Sequence, residues 1–352
     1  MATSTTSLTA STTTASATST STCINMKAGK NGYLPPDACD VILYYVPSLA
    51  AALLFCVLFG LSTSVHMAQA IIHKRKYAVV IILGGLWELT AFAFRSIQTH
   101  NQSSNLINTL YTMFFLLAPI WINAFLYMTL GRMINFYIPD QKLRGISARK
   151  FGVIFVCLDI FAFFVQMVGA AFTTGKNAKK DVVLLGIHIY MGGIGLQELF
   201  IIGFTVLTIQ LHLTMVAMER MGYRSEKMTN GPFPWRWLFY AIYFALTMIT
   251  IRIIFRLVQY SQGYSSTNPI LLHEVYEYVF DASPMLLALL AVNLLHPGRL
   301  LQGEGSRFKK ISRAEKKQQK ILKKMQKDQA VQKEEAMRSV EEFEMGPVRA
   351  YV

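Results

Sequence analysis

Nine residues that carry or balance charge stand inside otherwise apolar runs: Glu88, Arg95, Asp159, Glu198, Arg252, Arg256, Gln259, Glu277 and Asp281, with Glu274 at the mouth of the last run. Ionisable side chains are costly in hydrocarbon, so in a membrane they face the inside of a helix bundle, pair with one another and mark sites of function. Their spacing supports that placement. Glu88 and Arg95 are seven residues apart, and Arg252, Arg256 and Gln259 follow an i, i+4, i+7 pattern. Glu274, Glu277 or Tyr278, and Asp281 repeat it. Each set falls on one helical face. Two compatible readings stay open. One is a buried ion-pair network that fixes helix register. The other is a water-filled vestibule that receives the polar headgroup of an amphiphile.

The elements that must position these residues are membrane helices. The chain has 352 residues, 53% hydrophobic and only 15% charged, against about 25% charged in soluble domains. Seven stretches reach the ~20 apolar residues that a span requires, at approximately 43–66, 78–97, 106–130, 151–172, 184–209, 236–260 and 275–297. The expected fold class is therefore all-α, a polytopic bundle of seven transmembrane helices over 41–299. Turn chemistry separates several of them: Pro139-Asp140, Gly175-Lys176-Asn177, Gly231-Pro232 and Asn268-Pro269. Pro119 and Pro284 are expected to kink helices three and seven. Gly192, Gly193 and Gly195 permit close contact or bending in helix five.

Lys and Arg set the orientation. Lys74, Arg75, Lys76, Lys142, Arg144, Arg149, Lys150, Arg220, Arg224, Lys227, Arg236 and the Lys-rich tail fall on one side, and far fewer fall on the other. The N-terminus is thus predicted outside and the C-terminus in the cytoplasm. Arg95, Arg252, Arg256, Glu277 and Asp281 then belong to the outer half, Glu88 to the midplane, and Asp159 and Glu198 nearer the cytoplasm. Residues 1–40 form a Ser/Thr-rich extracellular segment, mostly disordered and open to O-glycosylation. Asn101-Gln102-Ser103 is a sequon on the same side. No cleaved signal peptide is recognised, so the first helix is expected to serve as its own insertion signal. The secretory route and the plasma membrane follow as the expected location. Cys23 and Cys39 could pair as an external disulfide, whereas Cys56 and Cys157 lie in apolar runs and are expected to pack as small hydrophobes.

The formal charge of +14 sits in loops and in the tail 300–352, so no nucleic-acid partner is expected. The tail is either a solvated helix or disordered segment, or an electrostatic contact with anionic inner-leaflet lipids. No phosphate-cradling Gly-rich loop with Lys-Ser/Thr exists, so nothing suggests ATP hydrolysis. No His-x-x-x-His pair suggests a hydrolytic metal. His66, His273 and His296 fall at helix ends, where an interfacial histidine is the ordinary explanation. Helix seven has no lysine for a retinal Schiff base. No enzyme activity, metal or cofactor is expected.

Gly85-Leu86-Trp87-Glu88 with Phe92 and Arg95, Leu117-Ala118-Pro119 with Tyr127 and Gly131-Arg132, Asp159 with Gln166 and Gly169, and Gly195 with Gln197 form a recurring set. Arg252-Ile-Ile-Phe-Arg256, His273-Glu274, Tyr278, Phe280-Asp281-Ala282 and Pro284-Met285 complete it. The set resembles the fungal RTA-like proteins, the lipid-translocating exporter family, over roughly 33–299. One departure is Gln259, where the family usually has a glutamate. The resemblance implies a membrane protein linked to translocation of lipids or toxic amphiphiles, notably sphingoid long-chain bases, with membrane lipids or amphiphilic small molecules as partners. A seven-helix receptor or sensor of lipid or stress signals is the alternative. Against its common G-protein-coupled form, helix three ends in Gly131-Arg132-Met133 and helix seven lacks Asn-Pro-x-x-Tyr.

Overall fold

The computed structural model describes residues 24, 26–35, 38, 41–173, 180–222, 234–261, 263 and 268–301, and twelve positions between 318 and 338. The Cys23–Cys39 pairing, the Ser/Thr-rich stretch, two connections (174–179 and 223–233) and most of the tail lie outside them.

Among the described residues seven helices are long and apolar enough to cross a membrane, and the chain is an all-α integral membrane protein. α1 spans Leu49–Ile72, α2 Val79–Gln98 and α3 Asn105–Tyr137. α4 spans Ala148–Thr173, α5 Lys180–Arg220 and α6 Arg236–Ser261. α7 runs from Glu274 to Glu277, widens into a π-helical turn at Tyr278–Ala282, and continues through Ser283–Leu294. A short α8, Pro297–Leu300, follows. Helices α1 to α5 pack in chain order, α6 packs on α5 and α7, and α7 returns to α1.

Local chemistry sets the boundaries. The first helix begins at Leu49 rather than near 43, because Pro47 disfavours helical geometry at Val46 and Ser48 caps the helix, its side chain accepting from Ala51 N. Residues 41–48 therefore enter the bundle as a non-helical strap. Ser104 caps α3 in the same way through Ile107 N. Between α3 and α4, strands β1 (Lys142–Leu143) and β2 (Ile146–Ser147) pair antiparallel. Arg144 and Gly145 both have positive φ, 50° and 79°, the geometry of a two-residue type I′ hairpin turn. With 41 residues, α5 measures about 60 Å, twice the ~30 Å hydrocarbon core.

Apolar side chains such as Leu54, Val57, Phe161, Phe164, Leu199 and Ile202 cover the outer face, as a lipid-facing surface requires. Cys157 is exposed on that face and Cys56 is half-buried. Glycines allow close helix approaches, of α1 and α3 side chains onto α2 and of backbone onto backbone between α4 and α5. On α2, a Cβ at Gly84 would stand 2.9 Å from Ile122, and one at Gly85 would collide with Thr63. Between α4 and α5, a Cβ at Gly169 would collide with the Tyr190 backbone, one at Gly186 would stand 2.8 Å from Gly169 O, and one at Gly193 would stand 2.9 Å from Gln166 N. Gly192 and Gly195, expected to share this role, face open space. The twelve described tail positions are all helical and exposed, including Ile321, Leu322 and Met325.

Small residues matter in lipid because helices there associate through close packing. Gly169→Val places two methyl groups against α5 backbone that cannot yield. Overpacking of this kind costs about 1–3 kcal/mol, so the purified variant should unfold several degrees below wild type in a detergent thermal melt. An unchanged midpoint would show that α4 and α5 can part freely.

Candidate functional site

The site is built around a carbonyl without a helical partner. Pro119 has no N–H, so the carbonyl of Phe115, four residues earlier on α3, loses its intrahelical bond. Arg252 of α6 supplies the missing donor: its Nη2 lies 3.0 Å from Phe115 O. The guanidinium also lies over the Phe115 ring, 4.7 Å from its centroid, with Arg256 at 5.2 Å from the same ring. A bond made across helices thus replaces one lost within a helix.

Both arginines meet one carboxylate. Asp281 Oδ1 is ion-paired with Arg252 Nη1, and Oδ2 with Arg256 Nε. Asp281 belongs to the π-helical turn, where Ser283 donates both its backbone N–H and, at 2.8 Å, its hydroxyl to Tyr278 O. The extra residue in that turn re-aims Asp281 toward α6, and π turns recur at functional positions. Pro284 follows directly and has no N–H for Phe280 O. Glu88 of α2 completes this tier with Oε1 3.9 Å from Arg252 Nη1. It is fully buried, and neither of its oxygens accepts a hydrogen bond.

A second tier lies nearer the start of α1. Arg95 pairs with Glu274 at 3.1 Å and Glu277 at 3.5 Å, and donates to Tyr45 Oη and, at 2.9 Å, to Gln98 Oε1. It lies over the rings of Tyr45 and Tyr111, 5.3 and 5.0 Å from their centroids. The Glu277 carboxylate accepts from Tyr45 OH at 3.0 Å and from Tyr111 OH at 2.7 Å. Glu274 accepts from Ser48 N at 2.7 Å and Tyr278 OH at 3.2 Å. Burial, then the neighbouring carboxylates against the opposing Arg95, holds the Tyr45 phenol well above the ordinary tyrosine range. It stays protonated, which lets it donate to Glu277.

A cavity of about 90 Å³ opens between the strap and this tier, lined by Tyr45, Arg95, Tyr111, Phe115, Arg256 and Glu277 among others. A second, of about 30 Å³, lies among α3, α4, α5 and α6 and meets Pro119, Gln166, Gln197, Arg252 and Arg256. Gln166 donates to Gln197 there at 3.1 Å. Arg256 lines both spaces, so its pairing with Asp281 stands between them.

The structure thus brings together Glu88, Arg95, Arg252, Arg256, Glu277 and Asp281. Gln259 lines the larger cavity beside Arg256 and Glu277, whereas Asp159 and Glu198 stand apart. Asp159 is buried against α3, accepting from Asn123 at 3.0 Å and Tyr127 at 2.9 Å on one oxygen. Glu198 accepts from Thr250 at 3.0 Å. Gln259 is buried and holds the loop beyond α6, its carbonyl accepting from Asn268 at 2.8 Å. Tyr45 and Tyr111 were not anticipated. The Pro47-Ser48 helix start, which takes Tyr45 off the helix, was the available signal.

His66 and His296 are fully buried within the protein. They belong to a polar seam between α1 and α7, where Gln69 donates to Asn293 O at 2.8 Å and Asn293 to Ser62 Oγ at 2.9 Å. His73 stacks on His296 at 5.5 Å; burial first, then Arg299 and Arg75, lowers its pKa, so it is neutral at physiological pH. His273 is exposed at the mouth of the cavity, and so is Asn101 in the α2–α3 connection. Among the described residues no group of three or more His, Cys, Asp or Glu is placed to hold a metal ion.

Comparison with known proteins gives a consistent result. Residues 81–304 match the family described as RTA1 like protein. The chain is 53% identical over 310 residues to the probable lipid transporter atnI of Emericella nidulans, covering 88% of this chain and 81% of that one. It is 26% identical to protoporphyrin uptake protein 1 of Saccharomyces cerevisiae, covering 73% and 92% of the two chains. It is 23% identical to the sphingoid long-chain base transporter RSB1 of the same yeast, covering 74% of each. No solved structure matches.

Asp281→Asn leaves two buried guanidiniums without their counter-charge, a loss worth about 3–5 kcal/mol. The variant should melt well below wild type, and equal stability would show the pairing to be dispensable. Tyr45→Phe removes hydrogen bonds to charged partners worth about 1.5–3 kcal/mol. A raised folded-state pKa means this contribution is complete at neutral pH and is lost only as pH rises through that value. The Tyr45→Phe deficit should therefore stay constant from about pH 6 to 9; a deficit that fades within that window would contradict a buried, protonated phenol.

Proposed function

Given that this chain belongs to the RTA1-like protein family, we propose that it translocates lipids or lipid-like amphiphiles across the membrane, with sphingoid long-chain bases as the substrate class. The observation that carries this reading is the charged cavity against Arg256, Glu277 and Tyr45. At about 90 Å³ it is far smaller than the ~300–1,000 Å³ of a site that encloses a drug-sized ligand. It accommodates a headgroup of a few heavy atoms and leaves the hydrocarbon chain in the lipid. An ammonium would pair with Glu277 or Asp281, and neighbouring hydroxyls would meet Tyr45 and Tyr111. The names of the relatives, a lipid transporter, a sphingoid base transporter and a porphyrin uptake protein, support amphiphile movement and a non-enzymatic role.

Asp281 exchanging Arg256 for the ammonium headgroup would join the two cavities and carry the group past the midplane. In this reading the cavity opens outside the cell and the Lys-rich tail lies in the cytoplasm near anionic lipids, as the distribution of Lys and Arg suggests. The plasma membrane, reached through the secretory route, is the proposed location. The exposed Asn101 is the proposed glycan site. Asn101→Gln should abolish an endoglycosidase-sensitive gel shift, and a wild-type protein without such a shift would count against this orientation.

The direct test is reconstitution into liposomes with labelled sphingoid bases, phospholipids and sterol amines. Wild type should speed transbilayer movement of the sphingoid base, and Glu277→Gln should slow it at least ten-fold. Binding that changes the protein's conformation without any lipid movement would favour a sensor.

A further inference from the structure

Charge balance around the cavity carries one step more. Three guanidiniums, Arg95, Arg252 and Arg256, face four carboxylates, Glu88, Glu274, Glu277 and Asp281. The cluster therefore holds one negative charge in excess if every group is ionised. A net charge in a low-dielectric interior is costly and is removed by taking up a proton or a counter-ion.

The four carboxylates are not equally provided for. Glu274 accepts from Ser48 N and Tyr278 OH, and Glu277 from two tyrosines. Asp281 has one arginine on each oxygen. Glu88 has no hydrogen bond on either oxygen, is 0% exposed, and has its nearest cation 3.9 Å away, on an arginine already paired with Asp281. The groups facing it are Arg252 and Arg256 from α6 and Asp281 from α7. α1 carries no acidic or basic residue apart from His66, which lies on the α7 seam. The lone charged residue of α3, Arg132, sits over Tyr77. Among the described residues nothing else is placed to balance Glu88.

We infer that Glu88 is a proton-exchange group and that the protein moves cationic amphiphiles in exchange for protons. With the site empty, the surplus charge is held as a proton on Glu88. When an ammonium headgroup enters and takes one oxygen of Asp281, Arg252 turns to Glu88. The Glu88 O–H bond then breaks, its proton passes to water, and the cluster keeps the same total charge. Proton and cation thus compete for one negative charge, the minimal requirement of an electroneutral exchanger. The inference rests on the transport reading above and adds its coupling.

The test uses the full chain in liposomes containing a pH-sensitive dye, with a fluorescent long-chain quaternary ammonium as probe. Such a probe is permanently charged, so any proton counted comes from the protein. Wild type should move one proton against each probe molecule, and a pH gradient of one unit should sustain about a ten-fold probe gradient. In Glu88→Gln the proton-to-probe ratio should fall to zero, whatever rate of probe movement remains. Glu88→Asp keeps a titratable group in altered geometry and should retain the exchange with a displaced pH midpoint. Probe movement by wild type without proton counterflow overturns the inference and leaves transport standing. Protons still exchanged by Glu88→Gln, or an unchanged midpoint in Glu88→Asp, also overturns it. No probe movement by wild type overturns the transport reading for such cations, and the coupling with it.

Discussion

The bond from Arg252 to the Phe115 carbonyl organises the centre of this bundle. A proline in a membrane helix strands a carbonyl where no water can reach it, and an unsatisfied backbone group in hydrocarbon costs several kcal/mol. Pro119 creates that demand on α3, and Arg252 answers it from α6. Once the guanidinium is committed to the carbonyl, a buried positive charge must be neutralised, and Asp281 does so from α7. Three helices are thereby tied through one side chain. The π turn then follows as the local distortion that brings Asp281 within reach of both arginines.

The two halves of the bundle are held by different forces. α4 and α5 meet through glycines at backbone distance, and shape complementarity of that kind yields little before it fails. α6 and α7 meet the rest of the site through ion pairs, which can trade one partner for another of like charge. A rearrangement that carries a headgroup past Arg256 would draw on the second kind of contact and leave the first intact. The strap before α1 belongs with the exchangeable side, because Tyr45 and Ser48 reach the cluster through hydrogen bonds and the contact of the Tyr45 ring with Arg95.

Much of this was legible in the sequence, for physical reasons. Hydrocarbon thickness imposes span length, so seven apolar runs became seven helices. Helical periodicity places Glu88 with Arg95, and Arg252 with Arg256, on single faces. It does not say which neighbour a face meets, so Asp159 and Glu198 looked equivalent to the others yet pair with neutral side chains of α3 and α6. Tyr45 was hidden for another reason: an apolar run from 43 reads as helix, and only the rule for residues before proline breaks it at Pro47. Tyr111 offered no such signal, because a tyrosine in an apolar helix is ordinarily core. The burial of His66 and His296 was not legible, since position along a helix does not report which neighbours cover it.

The choice of arginine at 252 and 256 is itself part of the logic. A lysine presents one compact charge on a flexible stem, whereas the guanidinium offers several donors in a fixed plane and a flat face that stacks on aromatic rings. Arg252 uses all of these at once: one nitrogen to the Phe115 carbonyl, another shared between Asp281 and Glu88, and its face on the Phe115 ring. A lysine could neutralise Asp281 or bond the carbonyl but could not span both with the ring beneath it. Because the carbonyl contact anchors one nitrogen, the other can change carboxylates without the side chain leaving its place. An anchored charge within reach of two carboxylates is the feature on which the proposed exchange rests.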